Sequence, residues 1–155
     1  MGAIMVGEKR FVADTMLGTL AKWLRILGYD TAFCPQIDDS DLVRQSRAEE
    51  RILLTRDTGL RERKGLHVLF IAGDALEEQL AQVLRAFDLR TDKPFSRCPV
   101  CNTELEDVPK GDAWGQVPPF VFQTQDEFKL CPDCNRFYWR GSHWRNMLSK
   151  VEKLP

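Results

Sequence analysis

Two Cys-x-x-Cys turns, Cys98-Pro99-Val100-Cys101 and Cys131-Pro132-Asp133-Cys134, constrain this chain more than any other feature. Two residues between cysteines let both sulfurs of a tight turn reach one ion. Two such turns complete a closed tetrahedral thiolate set of the kind that holds a structural zinc. A set with no open position implies a structural role, not catalysis. The segment between the turns carries Pro109, Gly111, Gly115, Pro118 and Pro119 and reads as a hairpin excursion. Disulfides or a redox pair are the competing readings, and two matched pairs in one small module speak against both. The fifth cysteine, Cys34, stands alone in a strand-like stretch and reads as a small buried apolar residue.

Upstream of the cysteines the texture is different. Phe11-Val12-Ala13-Asp14 reads as a short buried strand ending on a carboxylate. Leu17, Leu20, Ala21, Leu24 and Leu27 then recur at helical spacing, with Lys22 and Arg25 off the stripe and Gly28 placed to stop the helix. Asp30 to Cys34 fits a second strand, Ile37-Asp38-Asp39-Ser40 a loop and cap, and Asp41 to Glu50 a polar helix. Ile52-Leu53-Leu54-Thr55 is a third strand, Arg61-Glu62-Arg63-Lys64 a solvated basic loop, and Val68 to Ile71 a fourth strand. Asp74-x-x-Glu77 has the spacing of a capping box, opening a helix with Leu76, Leu80, Val83, Leu84 and Phe87 on one stripe. Strands alternating with helices predict an α/β fold with a mainly parallel sheet. The change of texture places a boundary near residue 92, giving an α/β domain over 1–92 and a zinc-ribbon module over 93–155.

With 155 residues and 43% hydrophobic composition, the chain can build a core without disulfides. Its formal charge of -1 provides no global attraction to nucleic acid or membrane, so any nucleic-acid site must be local. Absence of a signal-like or membrane-spanning run points to the cytoplasm, where thiols stay reduced.

Carboxylates fall where a parallel sheet puts its active site, beyond the carboxyl ends of the strands. Asp14 follows the first strand, Asp57 the third, and Asp38, Asp39 and Asp41 lie at the start of the helix leading into the third. Converging there, they would suit Mg²⁺ or Mn²⁺, which take oxygen ligands and activate water. Helix capping is the competing reading for Asp38, Asp39, Asp41 and Asp74.

The block from Phe11 to Arg25, Leu53-Leu54-Thr55-Arg56-Asp57, both cysteine pairs and Tyr138-Trp139-Arg140-Gly141-Ser142-His143-Trp144 together resemble the Mut-seven-C RNase domain family, whose nuclease part is PIN-like. The resemblance spans about residues 10 to 148. It implies a PIN-like three-layer domain followed by a zinc ribbon, and metal-dependent cleavage of single-stranded RNA. Asp14 matches the first family carboxylate and Asp57 the third; Asp41 best matches the second, though Asp38 or Asp39 could serve. Many PIN-like nucleases carry another acid soon after the third, and here Thr58-Gly59-Leu60 follows. That departure leaves one or two catalytic metals, and turnover itself, open. A non-catalytic RNA-binding module and a protein-docking zinc-ribbon adaptor are the alternatives.

The tail from Arg136 to Arg145 interleaves cations with rings, a combination suited to single strands. Arg140, His143 and Arg145 are candidate RNA contacts there, with Tyr138, Trp139 and Trp144 as stacking candidates, and Lys22 and Arg25 are candidates beside Asp14. The rings serve equally well as packing between ribbon and α/β domain, because a small ribbon has little core of its own.

Overall fold

A computed structural model describes residues 9–91 and 95–154. Strands β1 (Phe11–Ala13), β2 (Thr31–Phe33), β3 (Ile52–Thr55) and β4 (Val68–Phe70) form one parallel sheet in the order β2-β1-β3-β4. Alternation along these strands divides the core. Phe11, Ala13, Ile52 and Leu54 pack with α1 (Gly18–Ile26) and α4 (Leu76–Ala86). Val12 and Leu53 join Leu42 and Val43 of α2 (Asp39–Ala48) and Leu60 of α3 (Thr58–Arg61). Strands buried on both faces between helices make the three layers expected of an α/β chain.

Helix α1 buries the predicted stripe, and Leu24 is fully buried, so truncating it to alanine costs on the order of 2–5 kcal/mol. The turn after α1 closes on Gly28, whose φ of 103° suits glycine, and the helix opens at Gly18, where a Cβ would sit 3.0 Å from Phe33 Cζ. Two helix starts differ from the sequence reading. Helix α2 begins at Asp39, because the Asp38 side chain accepts the Asp41 N–H and starts the helix two residues early. At α4 it is Glu78 that accepts the Ala75 N–H, while Asp74 pairs with Arg56 at 2.8 Å, so Asp74-x-x-Glu77 is not the box. Within the expected basic loop, Arg61 ends helix α3. Cys34 is exposed, not buried, because it stands just past the end of β2.

The C-terminal part is built on a three-stranded antiparallel sheet of β5 (Glu106–Val108), β6 (Phe128–Leu130) and β7 (Phe137–Tyr138). Between β5 and β6 lie a 3₁₀ turn (Lys110–Ala113) and α5 (Pro119–Thr124), covering a small core of Ala113, Val117 and Phe128. The last helix, α6 (Ser142–Lys153), leaves this module: Met147 and Val151 are buried in the same core as α1 and α4. Residues 95–154 therefore contribute to two cores. The boundary expected near residue 92, with Pro94 beyond it, lies outside the described residues. Among the described residues no helix is long and apolar enough to cross a membrane.

Candidate metal centre and carboxylate edge

The four sulfurs of Cys98, Cys101, Cys131 and Cys134 all lie within 4.8 Å of one another. Each knuckle is closed by the same backbone pattern. Cys98 donates to the Thr103 carbonyl (2.8 Å) and accepts from Asn102 (2.8 Å); Cys131 donates to Arg136 (3.0 Å) and accepts from Asn135 (2.8 Å). Asn102 and Asn135 both adopt left-handed backbone, φ 65° and 61°, which asparagine tolerates better than most residues. The sequence signal for this is the repeat Cys-Pro-x-Cys-Asn, of which only the cysteines were read above.

The donor set fits zinc. A Zn–S bond of about 2.3 Å puts the sulfurs of a tetrahedron roughly 3.8 Å apart, and Cys98 Sγ lies 3.8 Å from Cys134 Sγ. All four cysteines are free thiols. Burial and then neighbouring thiols push Cys101 up to about 12, and burial pushes Cys131 up as well. At Cys134 burial acts upward too, but hydrogen bonds from the Arg136 backbone and side chain prevail and bring the thiol down to about 6. A cation held by all four requires four thiolates, so metal binding would expel protons. The Tyr138 hydroxyl sits 3.0 Å from Cys98 Sγ, and burial raises its pKa.

This centre is tied to the parallel sheet. Arg25 is buried, and its guanidinium donates to the Thr31 carbonyl (2.8 Å) and to the Pro99 (2.8 Å) and Val100 (3.3 Å) carbonyls of the first knuckle. Burial lowers its pKa while the nearby Cys98 raises it. Asn102 accepts from Thr31 N (3.1 Å) and donates to Asp30 (2.7 Å), which also takes Arg51 at 2.8 Å. The knuckle thus occupies polar groups of edge strand β2, which an unpaired edge would leave open. Arg25, a candidate RNA contact in the sequence, is buried and acts as a structural clamp. Lys22 is exposed as expected.

The candidate carboxylates lie at the carboxyl end of the sheet. Asp14 is buried. Its N–H donates to Leu54 O (2.9 Å), Oδ1 accepts from Thr15 N (2.7 Å), and Oδ2 accepts from the Thr55 hydroxyl (2.6 Å). That hydroxyl accepts in turn from Asp57 N–H (3.0 Å). Thr55, fully buried, therefore joins the two acids, a role the sequence reading gave to no residue although Thr55 stood in the quoted motif. The Asp57 carboxylate is exposed and caps α3 through Gly59 N (2.7 Å). Asp41 pairs with Arg44 (2.6 Å) on the surface. Among the described residues the four cysteines form the one group of three or more metal-binding side chains this close; Asp14, Asp38, Asp41 and Asp57 do not converge in the same way.

The tail rings are packed rather than presented. Trp139 stands edge-on to Phe128, Trp144 lies against Phe95, and Tyr138 faces Cys98. The His143 ring lies 5.7 Å from that of Trp23, and Arg140 lies 5.9 Å from the Trp144 ring centre, while Arg140, His143 and Arg145 all remain exposed.

The family description Mut7-C RNAse domain matches residues 9–151, nearly the whole chain. The chain belongs to this family. The match runs through the carboxylate edge, both knuckles and most of α6, so the Mut7-C domain here includes the ribbon. No curated protein matches the chain.

Proposed function

We propose that the chain is a metal-dependent RNase, cleaving single-stranded RNA at the carboxyl edge of the parallel sheet, with a structural zinc on Cys98, Cys101, Cys131 and Cys134. The reading rests on the family and on one observation: a buried carboxylate, Asp14, linked through the Thr55 hydroxyl to the residue bearing the exposed carboxylate of Asp57. Asp14 and Asp57 would hold Mg²⁺ or Mn²⁺ with Asp41 or Asp38, and the ion would supply an activated water and a counter-charge for the phosphodiester oxyanion. Thr55 fixes one Asp14 oxygen by donating to it and leaves Oδ1, which accepts only from the neighbouring Thr15 backbone and, at 3.5 Å, its hydroxyl, the better placed to meet a cation. Asp57 reaches the same edge from β3, one strand away. The family supports RNA as substrate, and reduced thiols favour a cytoplasmic setting.

One observation favours the second reading, an RNA-binding or protein-docking module without turnover: the acids are spread over separate caps and pairs. Degradation of a mixed RNA panel with Mn²⁺ decides. Wild type should cleave, and Asp14→Asn should lose at least about 100-fold, the scale of removing one group that steadies transition-state charge. Equal rates for the two proteins, or no cleavage by wild type, leave the non-catalytic reading.

A further inference from the structure

An acidic site repels phosphates, so a strand brought to it must be gripped by positive charge nearby. Of the side chains first nominated for that grip, Arg25 is buried under the first knuckle, while Lys22, Arg140, His143 and Arg145 are exposed and the rings of the tail are packed. A different surface meets the requirement. Ser40, Val43, Arg44, Arg47 and Ala48 of α2, with Arg63 from the loop after α3, line an open cavity of about 530 Å³. Three of its six lining residues are arginines and none is acidic. Ser40, Arg44 and Arg47 stand at i, i+4 and i+7, one face of the helix.

The helix that supplies five of the lining residues starts at the carboxylate edge, and the loop that supplies Arg63 follows the helix that starts there. Helix α2 opens on the Asp38 cap, and α3 opens on the Asp57 cap. From Ser40 to Arg47 the helix advances about 10 Å, so this face leads away from the acids, with Arg44 and Arg47 on its far half. The cluster is also fixed in place. Arg47 donates to the Lys64 carbonyl at 2.8 Å, which pins the loop carrying Arg63 against α2 and leaves most guanidinium donors unused. Arg63 has no ion pair among the described residues.

We infer that this arginine-lined cavity between α2 and the α3–β4 loop is the phosphate-binding track for single-stranded RNA, with Arg47 and Arg63 taking phosphates beyond the carboxylate edge and Arg44, paired with Asp41, at the end nearer the acids. The inference rests on the RNase reading but is tested apart from it. A fluorescent single-stranded oligouridine is titrated into the Asp14→Asn protein, which holds RNA without cutting it. Adding Arg47→Ala with Arg63→Ala should weaken binding about 10-fold. It should also flatten the dependence of log affinity on log salt by roughly 1.4, the share of two phosphate contacts on a single strand. Arg47→Ala could loosen the loop, so Arg63→Glu alone serves as a second variant and should weaken binding with an unchanged melting temperature. Arg140→Ala with Arg145→Ala should bind as the parent does. The track is overturned if both α2-side variants keep the parent's affinity and slope, or if only the tail variant weakens binding. It is overturned as well if the parent binds no RNA, in which case the cleavage assay on wild type still judges the RNase reading by itself.

Discussion

The two candidate centres are built in opposite ways. In the ribbon, four ligands of one kind come from two tight turns, and their sulfurs lie together because the backbone of each knuckle leaves them nowhere else to go. At the sheet edge, acids come from three separate elements, and each is engaged locally: Asp14 with Thr15 and Thr55, Asp57 with Gly59, Asp38 and Asp41 with their own helix. The first site is assembled by short-range geometry, the second only by topology. A closed structural centre gains folding energy from its metal, whereas an open centre must spread its charges until a cation and a substrate arrive.

The largest effect should follow from breaking the closed centre. Cys131→Ser should abolish the metal, about one zinc per chain in the parent, and lower the thermal stability of the whole chain because the first knuckle is clamped to β2. Metal analysis and calorimetry read both; full zinc retention would end the four-cysteine assignment. The open centre is broken differently. Thr55→Val removes the hydroxyl between Asp14 and Asp57, and RNA cleavage should fall about 10- to 100-fold, as when a group orienting a metal ligand is lost, with zinc content unchanged. An intact rate would mean that the two acids do not act as a unit.

A third substitution tests the connection between the centres. Arg25→Met leaves the carbonyls of Thr31, Pro99 and Val100 without their donor, a loss of about 2–3 kcal/mol for hydrogen bonds to a charged group, read by denaturant unfolding. The smallest effect is set by pH. Burial pushes the Asp30 carboxyl up, but hydrogen bonds from Arg51 and Asn102 outweigh it and hold the group below its ordinary value. A depressed folded pKa gives stability that is present above the unfolded value, about 3.9, and is lost as pH falls through the folded one. The advantage of wild type over Asp30→Asn should therefore be complete at pH 6 and shrink below about pH 4. A constant difference down to pH 2 would remove Asp30 from the clamp.

How far the sequence could be read follows the same division. The sheet, its helices and the cysteine knuckles show themselves through local periodicity and spacing, and Leu17, Leu20, Ala21, Leu24 and Leu27 are all buried as their stripe requires. Contacts between distant segments were not legible. Arg25 sits off that stripe and looks solvated, yet it is covered by Pro99 and Val100, more than seventy residues later. Cys34 looks like part of a buried strand, yet β2 ends at Phe33. Asp41 looks like a helix start, yet Asp38 captures its N–H first. The tail rings carried two equal readings because an aromatic beside an arginine has the same pattern whether it stacks on a base or packs against Phe95 and Phe128.

The placement of α6 sets the order in which the protein can be finished. Synthesis proceeds from the N-terminus, and all four strands of the parallel sheet leave the ribosome long before Met147 and Val151. Until those two side chains arrive, the stripe of Leu80, Val83 and Leu84 on α4 has α1 and the sheet against it but lacks the part of its cover that α6 supplies, and exposed apolar surface of this kind invites aggregation or chaperone capture. A chain stalled within the ribbon would hold the sheet and the carboxylate edge but not the closed core. Completion of the core beneath the parallel sheet therefore waits for α6, and a chain terminated before Met147 leaves that core open.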